Sequence, residues 1–187
     1  MFGRTLNLEL LTGMDVHDSV DQSQRWVLKA MHAYGQDLVN MLWRMLGSEQ
    51  DVCDVYQSTF LRLAHFQGGE KPDHVKAYVF RTASNTAISM LRTRIAERRR
   101  ISKSTPAEKL MDSPEHEIDQ KQLIETMRAY IAELPEHLRE VLTLRDLGEM
   151  SYGQIARTLG ITSGTARVYR CKAIALLGVW MSKDNET

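Results

Sequence analysis

Apolar residues return every three or four positions through most of the chain, which is the spacing of amphipathic helices. The first such stripe runs over residues 23–46. Ser48, with Asp51 three positions later, has the chemistry of a helix N-cap and predicts a second helix. Asp73 can cap a third helix that continues to about Arg100. Three helices that bury their apolar faces together predict a small bundle.

The periodicity fails between residues 101 and 118, where serine, threonine and proline accumulate beside acidic residues, as is typical of a linker. Four short helices are predicted from residue 119 onward, and no segment has the pattern of a strand. The predicted architecture is all-α. It consists of a weakly ordered tail over 1–21, a first small helical domain over 22–100, a flexible linker over 101–118 and a second small helical domain over 119–187.

Within the second domain, helix stops, caps and turns follow one another at the spacing of a helix-turn-helix. One helix stops, a second ends in glycine, a short third helix has a capping box, and a glycine supplies the turn before the last helix. These signals fall at Pro135, Gly148, Ser151 with Gln154, and Gly160. The last helix is predicted to begin at Thr162 or Ser163.

An angular count of 100° per residue along the last helix separates an apolar face from an outward one. The apolar face holds Ala166, Tyr169, Ala173, Leu176, Leu177 and Trp180. Arg167, Val168, Cys171 and Lys172 point outward, where a recognition helix meets base edges and phosphates in a major groove. Arg170 lies at the margin, so its stem is expected to pack while its guanidinium reaches a phosphate or a carboxylate.

Charge is strongly segregated along a chain whose net charge is zero. Residues 81–103 hold seven basic residues and one acid, residues 108–125 hold six acids and two lysines, and residues 157–183 hold five basic residues and no acid. One flank of the third predicted helix also combines aromatic, amide and guanidinium groups suited to unstacked bases and a strand backbone. That flank holds Tyr78, Arg81, Asn85, Ser89 and Arg92. Both domains therefore show a nucleic-acid signal.

Several other classes of protein receive little support. The two cysteines stand far apart, which excludes a disulfide framework and fits a reducing cytoplasm, and no apolar run is long enough to cross a bilayer. The six histidines lie on different predicted elements without the spacing of a ligand set, so no metal site and no cofactor are expected. No P-loop, HExxH or other catalytic spacing occurs, and the chain is not expected to be an enzyme.

Three stretches together resemble the sigma-70 family, the promoter-recognition subunits of bacterial RNA polymerase, in its group IV or extracytoplasmic-function (ECF) type. Residues 54–63 resemble the region 2 segment that docks on the clamp helices of the polymerase's largest subunit. Residues 77–87 with the following arginine cluster resemble the segment that melts and reads the −10 element. The motifs between residues 134 and 167 resemble region 4, which reads the −35 element. The closest resemblance within the family is to sigma factors that govern cobalt and nickel resistance.

The resemblance implies roles for particular residues. Core polymerase docking is expected at Asp54, Gln57, Phe60 and Leu61; −10 recognition at Tyr78, Arg81, Asn85, Ser89 and Arg92; and −35 recognition at Ser163, Thr165, Arg167, Val168, Cys171 and Lys172. Some positions depart from the family pattern, such as Ser58 in place of a common acid and Tyr78 in place of a common tryptophan. The departures leave the exact promoter sequence open.

The resemblance also implies partners. These are core RNA polymerase, through its clamp helices and β flap, promoter DNA, and an anti-sigma factor that holds the protein inactive and is usually anchored in the membrane. Free of them, the chain is expected to be a cytoplasmic monomer. A free-standing helix-turn-helix regulator remains the alternative, and it would bind a two-fold duplex operator without polymerase.

Overall fold

The computed structural model describes residues 25–65, 72–104 and 115–184, and within them it confirms the predicted all-α fold. No strand occurs in these ranges. The helices are α1 (Arg25–Leu46), α2 (Glu49–Ala64), α3 (Val75–Ser104), α4 (Glu115–Glu133), α5 (Glu136–Leu142), α6 (Tyr152–Leu159) and α7 (Ser163–Asp184), with a π-helical turn (Thr143–Leu147) continuing α5.

The predicted helix signals of both domains are present as hydrogen bonds. The Ser48 hydroxyl accepts from the Asp51 amide and caps α2. At α6, Ser151 and Gln154 form the predicted capping box, and Gly160 ends the helix with a φ of 66°, in the left-handed region that glycine adopts without steric cost. Thr162 caps α7, because its hydroxyl accepts from the Thr165 amide at 3.0 Å.

The helices extend further into residues 101–118 than the periodicity predicts. α3 continues to Ser104 and α4 already begins at Glu115, so helix occupies both ends of the segment that was predicted to be a linker. The two helices contact each other through ion pairs between arginines of α3 and glutamates of α4. The spacing of apolar residues does not predict such charged contacts. Residues 105–114 lie outside the described ranges, as do the predicted tail over 1–21 and the loop over 66–71.

One continuous apolar core runs through both predicted domains. It joins buried residues of α1, α2 and α3 to Val141, Leu144, Met150, Ile155 and Ala166 of the second domain. A smaller cluster made mainly by α4, α5 and α7 lies beside it. The sequence predicted two separate helical units, whereas the structure packs them on each other.

Two faces of α3 are buried as a result. Val79 and Ala83 on one face are fully buried, and so are Phe80 and Ala87 on a neighbouring face. A Cβ placed on Gly148, which ends the π-helical turn, would lie 3.1 Å from the Phe80 ring. The second domain therefore fits closely against α3.

The end of α1 forms another contact between the domains. Arg44 donates to the carbonyl of Leu147 at 2.9 Å and pairs with Glu149 at 2.6 Å. Glu149 has a φ of 56°, so a non-glycine residue occupies the left-handed region at this junction. The Arg128 guanidinium of α4 lies over Gly47, which follows α1 with a φ of 70°.

Candidate nucleic-acid interface

The outward strip of α7 lies where the angular count predicts. Arg167, Val168, Cys171 and Lys172 are all exposed, whereas Ala166, Ala173 and Leu177 on the opposite face are buried. Ser163 and Thr165, at the start of the helix, are half-buried. The strip is therefore open to a ligand along its length.

Arg170 reaches a carboxylate, as predicted for the margin of this helix. Its Nε donates to both carboxylate oxygens of Asp146 at 2.9 Å, and its Nη2 donates to one of them at 2.7 Å. These hydrogen bonds to Asp146 hold the pKa of Arg170 above its ordinary value. The bidentate pair joins α7 to the π-helical turn beside the outward strip.

Tyr152, the first residue of α6, lies beneath two arginines. The guanidinium of Arg167 is 5.3 Å from the ring centroid and that of Arg145 is 4.9 Å away. Arg145 also donates to the Met150 carbonyl at 2.7 Å. Sequence reasoning assigned no role to Tyr152, because nothing in the spacing of residues 145, 152 and 167 shows that they meet.

The predicted −10 flank of α3 is divided between solvent and the second domain. Asn85 and Ser89 are exposed. Arg81 donates through Nε to Glu140 of α5 at 2.7 Å, and Arg92 donates to the Ala132 carbonyl at 3.0 Å. Tyr78 is half-buried. Two of the five predicted residues thus make hydrogen bonds to the second domain.

The buried contact beside this flank is also polar. Ser84 donates to the Thr143 hydroxyl at 3.1 Å, and both residues are buried. Thr143 in turn donates to the carbonyl of Arg139, whose pKa is lowered by burial. Among the described residues, no buried side-chain nitrogen or oxygen is left without a hydrogen-bond partner. The polar contact between α3 and the second domain is therefore fully satisfied.

Carboxylates of α4 cover the basic end of α3. Arg98 pairs with Glu125 at 2.9 Å, and Arg99 pairs with Glu133 at 2.6 Å. Partial burial acts to raise the pKa of Glu125, but hydrogen bonds from Arg128 and Arg98 outweigh it and leave this pKa below its ordinary value. With Glu140, these glutamates form a row of carboxylates along α3, which we call the acidic row.

The predicted docking surface on α2 is exposed except at one residue. Asp54, Gln57 and Leu61 are exposed, and the Leu61 side chain is 59% accessible. Phe60 is only 5% accessible and packs on the Tyr56 ring at a centroid distance of 4.8 Å. Phe60 thus lies on the apolar face of α2, one helical turn after Tyr56, and its predicted docking role stays a prediction.

No set of three or more metal-ligating side chains comes together in the described ranges. Cys53 is half-buried, with its pKa raised by burial, and Cys171 is exposed; both are free thiols. Of the helices that the structure describes, none combines the length and the apolar character that a membrane span requires.

Comparison with known proteins gives the family. A model of sigma-70 region 2 matches residues 30–96, and a model of sigma-70 region 4 matches residues 124–177, so the two cover well over half of the chain. The RNA polymerase sigma-H factor of Pseudomonas aeruginosa is 28% identical over 151 residues, which cover 74% of this chain and 78% of that protein. The ECF RNA polymerase sigma-E factor of Haemophilus influenzae is 26% identical over 181 residues, or 88% and 93% of the two chains.

A solved structure shows the same fold. CnrH, in complex with the cytosolic domain of CnrY, aligns with a TM-score of 0.53 at 21% identity and covers 87% of this chain and 92% of its own. Both family regions lie in the order that the sequence predicts, and each coincides with one of the two helical domains. The chain belongs to the sigma-70 family and is an ECF-type sigma factor for transcription initiation by RNA polymerase.

Proposed function

We propose that the outer strip of α7 reads the −35 element and that the flank of α3 reads the −10 element. The observation that carries the proposal is the open strip at Arg167, Val168, Cys171 and Lys172, on a segment with no acidic residue between 157 and 183. Exposed arginine and lysine on one face of the last helix suit the acceptor edges and phosphates of a major groove. Ser163 and Thr165 lie at the start of the same helix, where side chains and amide groups are suited to contact the phosphate backbone of DNA.

The −10 surface is assigned to Tyr78, Arg81, Asn85, Ser89 and Arg92. Its exposed members are Asn85, Ser89 and Arg92. Arg81 is engaged by Glu140 of α5, and Arg92 by the Ala132 carbonyl near the end of α4. Single-stranded DNA would compete with Glu140 for Arg81 and with the Ala132 carbonyl for Arg92. We therefore expect the two domains to separate when the protein assembles with core polymerase.

Core polymerase docking is assigned to the exposed face of α2. Asp54, Gln57 and Leu61 follow one another at helical spacing and share that face. An exposed leucine between polar neighbours is suited to the centre of a protein contact. This face is expected to meet the clamp helices of the largest polymerase subunit, while the second domain meets the β flap.

Regulation is proposed to run through an anti-sigma factor anchored in the membrane, and the genes controlled are proposed to include cobalt and nickel resistance. CnrH was solved with the cytosolic domain of another protein, CnrY. The sequence resemblance supports the metal-resistance assignment. Sensing is proposed to reside in that partner, as the family resemblance implies.

Reconstituted transcription tests these assignments. Purified protein is added to bacterial core RNA polymerase with a pool of genomic promoter fragments, and transcript starts are mapped. Starts that share −35 and −10 elements are expected. If the polymerase stays inactive while the protein shifts duplex DNA unaided, the free-standing helix-turn-helix regulator becomes the better assignment.

Variants divide the roles in the same assay. Arg167→Ala is expected to weaken initiation that depends on the −35 element, and Asn85→Ala to impair −10 recognition or open-complex formation. Lys29→Ala, at an exposed position of α1, is the matched control. Equal loss of core polymerase binding in both variants would contradict this division.

A further inference from the structure

We propose that Tyr152 is a positioning residue for Arg167 and thereby a determinant of −35 specificity. This inference rests on the proposed −35 role of α7. Its own basis is the stacking geometry of three side chains, in which two guanidinium groups lie over one tyrosine ring.

The Tyr152 ring is held in place by its surroundings. Tyr152 is the first residue of α6, directly after the Ser151 cap, and its ring is half-buried against the main core. The Arg145 guanidinium lies 4.9 Å from the ring centroid and is itself held by the Met150 carbonyl. The ring is therefore a fixed platform rather than a mobile surface side chain.

Arg167 is the member of this group that stands on the outward face of α7. Its Cα lies on the exposed face of α7, and its guanidinium reaches back to lie 5.3 Å from the Tyr152 centroid. A free arginine samples many rotamers, and bidentate recognition of a base requires one of them. Stacking on a fixed ring restricts the arginine before DNA arrives.

The neighbouring arginine gives a useful contrast. Arg170, three residues further along α7, is held by two-pronged hydrogen bonds to Asp146 and is thereby committed to the fold. In the described part of the chain, Arg167 lies against a ring face and not against a carboxylate, which leaves its N–H groups available to a ligand. The two arginines thus have different tasks, one joining helices and one presented to the groove.

The test uses the holoenzyme and the promoter fragment with the strongest mapped start. Binding is measured for the parent fragment and for fragments with each −35 base pair substituted, using wild type, Tyr152→Leu, Tyr152→Phe, Arg167→Ala and the double variant. Loss of the stacking in Tyr152→Leu should weaken binding about two- to fivefold. Tyr152→Leu should also reduce discrimination at the same base pairs at which Arg167→Ala loses it. In the double variant, Tyr152→Leu should have no effect beyond that of Arg167→Ala.

Tyr152→Phe separates positioning from direct contact. It keeps the ring and removes the hydroxyl, so wild-type binding and discrimination are expected. If Tyr152→Phe loses as much as Tyr152→Leu, the hydroxyl acts in place of the ring, through DNA or through its hydrogen bond with Arg170, and the inference is overturned. Tyr34→Leu is the matched control, since Tyr34 also lies under a cation, Lys76, but on α1. Should Tyr152→Leu fail to fold, Tyr152→Trp replaces it, because it keeps an aromatic face and should retain discrimination.

Failure of this inference is distinguishable from failure of the proposed function. If Arg167→Ala leaves −35 discrimination unchanged, the proposed role of α7 is wrong. Suppose instead that Arg167→Ala reduces discrimination, but Tyr152→Leu weakens binding equally in the wild-type and Arg167→Ala backgrounds. The role of α7 then stands, and positioning by Tyr152 is refuted.

Discussion

Arg81 of α3 donates a 2.7 Å hydrogen bond to Glu140 of α5, so a predicted −10 contact is engaged by a carboxylate from the −35 domain. The Glu140 side chain is 9% accessible and that of Arg81 is 41% accessible. The pair lies at the edge of the buried contact between the domains, next to Ser84 and Thr143. If Arg81 has its proposed −10 role, this carboxylate competes with DNA for it, and the packed arrangement of the domains covers part of the proposed −10 surface.

Glu140→Gln should favour separation of the domains. The substitution removes the charge that holds Arg81 and is expected to cost the closed arrangement about 1 kcal/mol, or roughly fivefold in the open fraction. Energy transfer between fluorophores on Lys29→Cys and Ser182→Cys, in a chain whose native cysteines are serine, measures that fraction. Glu136→Gln, on the same helix but exposed, should leave it unchanged. Equal transfer in both variants would show that the pair does not hold the domains together.

Gly148→Ala should destabilise the contact between the domains. An added Cβ would lie 3.1 Å from Phe80 and 3.3 Å from the Met41 sulfur, both of which are fully buried. Overpacking of this kind costs about 1–3 kcal/mol, measurable by urea unfolding. Gly178→Ala is the control, because a Cβ there meets nothing within 4 Å and alanine favours the helix. If Gly148→Ala is as stable as Gly178→Ala, Gly148 does not pack closely against Phe80 and Met41.

Asp146→Asn should loosen α7. The two-pronged pair with Arg170 loses its charge, and the pKa of Arg170, which Asp146 holds above its ordinary value, should fall toward that value. A loss of about 1 kcal/mol in unfolding free energy is expected, since both side chains are about one-third accessible. Binding of the −35 element should weaken at every base pair alike, unlike the selective effect expected for Tyr152→Leu. A base-specific loss would contradict a purely positional role for this pair.

The contribution of Glu125 to stability should depend on pH. Its pKa is lowered in the folded state, so its stabilising contribution is fully present above the unfolded value of about 4.3 and disappears as the pH falls through the lower folded value. The difference in unfolding free energy between wild type and Glu125→Gln, measured in urea, should therefore shrink between pH 7 and about pH 3.5. A difference that stays constant across this range would show that Glu125 is not engaged by Arg98 and Arg128.

Local elements were predictable because their signals are local. The Ser151 and Gln154 capping box, the left-handed Gly160 and the outward strip of α7 each depend on residues within one or two turns. The arginine at the margin of α7 was expected to find a phosphate or a carboxylate, and it found Asp146. Phe60 received its docking role from the resemblance alone, and the structure buries it on the apolar face of α2.

The sequence by itself determined the all-α fold, the order of the two domains, the helix caps and the outward face of the last helix, because hydrophobic period and capping chemistry act over a few residues. Only the tertiary structure decided that α5 and the π-helical turn pack on α3, that Glu140 engages Arg81, and that Tyr152 lies beneath Arg167. These contacts join residues 59 positions apart in one case and 15 in the other, and they depend on how two apolar faces fit together. No short-range pattern predicts that fit, so the partners of Arg81 and Arg167 became visible only in the folded chain.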